Sequence, residues 1–138
     1  MDEDVVHGLI NPYIITTFSE LEEYLNYSSK KMSWNIEVSG PHDEGSERGH
    51  MIMTFTGGDR DFREFLVEAV CIFLSRWMNL DVEALHRKSN SITIYLKSFI
   101  RHDLQEIPSG LKKHFGSREV LYREIEQKPD FWITLAEL

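Results

Sequence analysis

Between residues 62 and 80 the chain carries apolar side chains on almost every side of a helical wheel. Phe62, Phe65, Leu66, Ala69, Val70, Phe73, Leu74 and Trp77 recur at steps of three and four, the spacing that lines one face of an α-helix. Val67, Cys71, Ile72 and Met78 widen that face nearly all the way round. A helix this apolar must be covered on more than one side, by a sheet and by either further helices of the same chain or a second subunit. Asp59 or Asp61 supplies its cap; Asp61 followed by Glu64 is the acidic form of a capping box.

The segments on either side supply the sheet. Residues 34–39 alternate apolar and polar, with Trp34, Ile36 and Val38 on one face, and residues 50–56 do the same with Met51, Met53 and Phe55. Gly40-Pro41 is expected to stop the first of these strands and Gly57-Gly58 the second, leaving a hairpin with a polar loop at 42–49. Residues 92–97 alternate again. Residues 12–18, β-branched and aromatic after an Asn-Pro breaker, read as an earlier strand. Ser19 and Glu22 then form an S-x-x-E capping pattern for a helix with Leu21, Tyr24 and Leu25 inward, ending near Lys30 and Lys31.

Residues 79–89 continue the long helix or begin a second one at Asp81. Residues 101–127 read as helical pieces, with Ser117 capping 118–127, and 131–135 as a strand or a docked turn. The expectation is one α+β domain over residues 1–138: an antiparallel sheet with helices packed on one face, in the order β-α-β-β-α-β followed by C-terminal helices. That order is ferredoxin-like. An open face or exposed edge of such a sheet also suits pairing with a second copy.

Charge is segregated along the chain. The formal net charge is −8. Ten acids against three bases leave residues 1–58 at −7, whereas seven bases against two acids leave residues 84–118 at +5. These two regions either face each other or present separate surfaces. The overall acidity disfavours general binding to nucleic acid or anionic membrane. The acidic N-terminus lacks the basic start and cleavage site of a secretory signal, no apolar run is long enough to span a bilayer, and a single cysteine cannot form an internal disulfide; a cytoplasmic location is expected.

Catalytic signatures are sparse. His42, Asp43, Glu44, Glu47 and His50 cluster in nine residues and could wrap a divalent metal, but at no fixed ligand spacing, and a solvated hairpin loop accounts for them better. His102-Asp103 could orient a base, yet no serine or cysteine stands in a nucleophile-like setting beside it. Cys71 lies between Val70 and Ile72 in mid-helix and reads as a core thiol. Neither an enzyme nor a cofactor is expected.

The profile favours a small acidic protein-binding module, of the kind used by inhibitors and immunity-type neutralisers, whose partner is another protein with a basic surface. The likeness is one of profile only. Glu20, Glu22, Glu23, Asp43, Glu44 and Glu47 are the candidate partner-binding residues, because complementary charge steers association. Two alternatives stand beside it. One is a small-molecule, metal-binding or enzymatic domain using the 42–50 loop or His102-Asp103. The other is a nucleic-acid binder using Arg87, Lys88, Arg101, Lys112 and Lys113.

Overall fold

The computed structural model describes residue 15 and residues 17–43, 49–100 and 107–115. They form α1 (Phe18–Met32), β1 (Ile36–Asp43), β2 (His50–Gly57), α2 (Arg60–Trp77), β3 (Leu80–Arg87), β4 (Ser91–Ser98) and α3 (Ser109–Phe115). The four strands make one sheet in the order β1-β2-β4-β3, antiparallel throughout. The fold is α+β.

The sheet forms because β2 and β4 alternate cleanly. Met51, Met53 and Phe55 stand opposite Leu96, Ile94 and Ile92 in register, and all six are buried on one face. Ile36 and Val38 of β1 and Leu80 and Val82 of β3 extend this apolar face to both edges. The helices cover it. Leu21 and Leu25 of α1 and Leu111 of α3 join the same buried cluster as residues 66–74 of α2. Every residue from Leu66 to Ser75 is buried, so α2 is enclosed on all sides within this one chain. Of the two covers foreseen for that helix, elements of the same chain suffice, and α2 gives no argument for a second subunit.

Three local expectations are corrected. Residues 80–87 are a strand and not a helix. Met78 caps α2, Asn79 takes a left-handed φ of 55°, and the chain turns back to pair with β4. The described order is therefore α-β-β-α-β-β-α, with no parallel pair among the described strands, in place of the ferredoxin-like β-α-β-β-α-β. The strand expected at 12–18 falls mostly outside the described residues, but Thr17 is the N-cap of α1 and Phe18 its first residue. Thr17 and Glu20 form the capping box, displacing the pattern read at Ser19 and Glu22.

Gly40-Pro41 does not end β1. The strand continues to Asp43 through an irregularity between Ser39 and His42, where Gly40 sits at φ 96°. A Cβ there would lie 2.5 Å from the Ile52 carbonyl oxygen, so only glycine fits. Residues 116–138, with their expected helix and terminal strand or turn, lie outside the described residues.

Candidate functional site

β1 is an edge strand, and the outward N–H and C=O groups of such a strand invite pairing with another chain. Here α1 satisfies them. Gly40 N donates to Glu22 Oε2 at 2.5 Å, and Val38 N donates to Asn26 Oδ1 at 2.7 Å. Asn26 Nδ2 returns a bond to Val38 O at 2.8 Å, and Ile36 N donates to Ser29 Oγ at 2.9 Å. Positions 22, 26 and 29 share a helix face, and residues 40, 38 and 36 share a strand edge.

The two ladders fit because their spacings nearly match. Seven helix residues rise about 10.5 Å and four strand residues about 13.5 Å, a difference taken up by the descending reach of Glu, Asn and Ser. The helix thus lies antiparallel to the strand it seals. Ser33 and Asn35, at φ 58° and 59°, make the reversal between them.

This arrangement fixes the position of the acidic residues. Because α1 and β1 run in opposite directions, the first turns of α1 lie at the end of β1 where Asp43 stands. Glu20, Glu22 and Glu23 therefore lie toward the same end of the sheet as Asp43. They are not equivalent. Glu20 accepts from Thr17 N at 3.1 Å and Thr17 Oγ1 at 2.9 Å, and so serves the helix cap. Glu22 serves the strand edge. Glu23 and Asp43 are exposed. Glu44 and Glu47 lie outside the described residues.

The basic segment occupies the opposite side. β3 and α3 carry Arg87, Lys112 and Lys113, while β1 and α1 border the far edge of the sheet. Three strand spacings, about 14 Å, separate the two edge strands. Among the described residues, the acids of α1 and the end of β1 and the bases of β3 and α3 border opposite edges of the sheet. Lys88, Lys112 and Lys113 are exposed, and Arg87 is held by Glu64, with Nε at 2.7 Å and Nη2 at 3.2 Å from the carboxylate. Arg101, His102 and Asp103 lie outside the described residues.

Among the described residues the chemistry-bearing side chains do not converge. His42 is exposed and stands across from Ile52, while His50 Nδ1 lies 3.3 Å from Glu83 Oε2. Among the described residues no group of three or more histidine, cysteine, aspartate or glutamate side chains is placed to hold a metal. The Cys71 thiol is pushed up from its ordinary 9.0, chiefly by burial and then by the negative charges of Asp81 and Glu68, which suppresses the nucleophilic thiolate.

Arg63, 2% exposed, spends its guanidinium on backbone carbonyls. Nη1 lies 2.7 Å from Gly57 O and Nη2 lies 3.4 Å from Ser89 O, which ties the turn before α2 to the β3–β4 turn. An open depression of about 430 Å³ lies between the end of α1 and the start of β1. Its Asn26 and Ser29 are already bonded to β1, so it is the seam of the helix–strand zip. Among the described residues no helix is long and apolar enough to cross a membrane.

Some of these roles had no signal in the sequence. The partners of Glu22, Asn26 and Ser29 are backbone groups, between 7 and 18 residues away, and backbone groups leave no trace in residue identity. Tyr27 carries a weak signal as a tyrosine on the helix. It is 49% exposed, on the outer side of α1 with Lys31 Nζ 5.9 Å from its ring centre. No family model, curated protein or solved structure matches the chain.

Proposed function

We propose that this protein is a protein-binding module that recognises a basic partner through the acidic corner formed by the start of α1 and the end of β1. The supporting observation is the antiparallel seal between α1 and β1. It brings acids 20 residues apart in sequence toward one end of the sheet and leaves Glu23 and Asp43 exposed there. Leu21 and Leu25 are fully buried and fix the helix that carries Glu23, so little ordering entropy at that helix opposes docking. The partner this chemistry suits is a folded protein or inhibited enzyme with a patch of lysine and arginine. Tyr27 on the same helix is the aromatic residue placed to anchor the contact.

The test is affinity capture from the native host with wild-type protein and with Glu23→Lys/Asp43→Lys. Both positions are exposed, so the variant keeps the fold. A basic protein retained by wild type, released by moderate salt and lost with the variant supports the reading. Recovery of nucleic acid alone, or of a partner indifferent to both changes, refutes it.

A further inference from the structure

The sheet face turned away from the helices has the make-up of an interface. Its centre, from β2 and β4, carries Ile52, Thr54, Thr93 and Tyr95, all half-exposed and uncharged, with the two threonine hydroxyls 3.3 Å apart. In register one row runs Ser39, Thr54, Thr93, His86 across the four strands. The adjacent row begins with Glu37 on β1, passes through Thr56 and Ser91, and reaches Lys88, whose N–H donates to Ser91 O at 2.8 Å. Glu37 and Lys88 are both exposed. A neutral centre is thus bordered by Glu37 at one edge and Lys88 at the other, with Lys97 and the His50–Glu83 contact at the far end of the same face, the pattern of an interface core with a charged and polar rim.

We propose that this face is the contact surface for a second copy of the chain, related by a two-fold axis running along the strands. That operation keeps each row in place but exchanges the edges, so β1 of one copy lies over β3 of the other. Glu37 then meets the partner copy's Lys88, and the symmetry makes the contact twice. Ile52, Thr54, Thr93 and Tyr95 pack against their counterparts, as in two aligned sheets. Four strands of eight residues cover about 500 Å² per copy, near the lower bound of a specific interface, so the dimer is a micromolar one that dissociates on dilution.

The proposal does not rest on the acidic corner, which belongs to the helix layer. Its test is sedimentation equilibrium of the full chain across the micromolar to submillimolar range. A concentration-dependent dimer is expected, weakened about tenfold or more by Thr54→Arg, which buries two charges at the centre. Glu37→Lys and Lys88→Glu each weaken it, and the double variant, which restores both contacts with the charges exchanged, recovers wild-type association. Circular dichroism checks that Thr54→Arg folds, and the exposed charge exchange tests the geometry if it does not. A chain monomeric throughout the range overturns the proposal, as does a dimer indifferent to Thr54→Arg or one that the double exchange fails to restore.

Discussion

Replacing Asn26 by alanine removes both hydrogen bonds to Val38, at 2.7 and 2.8 Å, from a residue only 3% exposed. An alanine offers neither donor nor acceptor to the Val38 backbone. Each lost bond costs about 1 to 1.5 kcal/mol. Alanine's better helix propensity returns about 0.6 kcal/mol. The net loss is therefore about 2 kcal/mol, equivalent to about 8 °C in melting temperature for a chain of this size. Urea unfolding followed by circular dichroism measures the loss, and hydrogen exchange should show the Val38 amide losing protection before the β2 and β4 amides do. Asn26→Asp separates bonding from packing. It keeps the acceptor for Val38 N–H but sets a carboxylate oxygen against Val38 C=O, so it should be at least as damaging as alanine. A loss below about 0.5 kcal/mol for Asn26→Ala, the range of an ordinary surface substitution, would refute the claim that α1 holds the strand edge through this residue.

Two further predictions concern α3 and the core. Gly110→Ala would drive a Cβ into the Val82 carbonyl oxygen, backbone that cannot yield, and to 2.6 Å from the Asp81 Oδ1 side-chain atom, so α3 should lift from β3 at a cost of about 2 kcal/mol, read as lost exchange protection at residues 109–115. Cys71 should resist aromatic disulfide reagents in the native state and react only as the chain unfolds. Its folded thiol titrates above its ordinary 9.0, so its contribution to stability is complete well below that pH and declines as pH rises through and beyond it. Cys71→Ala should remove that part of the alkaline slope, and an unchanged slope would contradict the burial argument.

What could be read from the sequence was set by how burial maps onto residue spacing. α2 was legible because a helix enclosed on all sides has no polar face to disguise it. β2 and β4 were legible because one buried and one open face impose strict alternation. β3 was misread for a physical reason. The register shifts between Val82 and Ala84, so Leu80 and Val82 face the core in one phase and Leu85 in the other. With its period broken, the helix-forming residues Glu83, Ala84 and Leu85 looked like a helix. The one available hint was Asn79, a residue that tolerates the left-handed turn it makes. The cap of α1 was displaced by one half-turn because both T-x-x-E and S-x-x-E occur in the same few residues, and side-chain chemistry alone cannot rank them. The acidic set was read as a surface, but Glu20 and Glu22 are spent on the helix cap and the strand edge, leaving Glu23 and Asp43 as its exposed described members.

The treatment of the two sheet edges bears on how this protein can meet a partner. At β1 the outward groups of Ile36, Val38 and Gly40 are occupied by side chains of α1, whose Leu21 and Leu25 are fully buried. A strand added there would first have to break four hydrogen bonds and expose two leucines. At β3, Asp81 Oδ2 accepts from Gly110 N at 2.9 Å and His114 Nε2 lies 3.1 Å from Glu83 O, so α3 takes the first half of that edge in the same manner. Strand addition is therefore a poor mode of recognition for this sheet along β1 and the start of β3. Among the described residues, two surfaces away from those sealed edges are the helix-layer corner bearing Glu23 and Asp43 and the open face centred on Thr54 and Thr93. These lie on different layers, so a dimer formed through the open face would leave both acidic corners free. If both proposals hold, the dimer presents two identical acidic corners, and a partner with two basic sites would bind more tightly than either contact alone allows. Thr54→Arg should then weaken capture of such a partner without altering the corner itself, whereas Glu23→Lys/Asp43→Lys should abolish capture and leave the dimer intact.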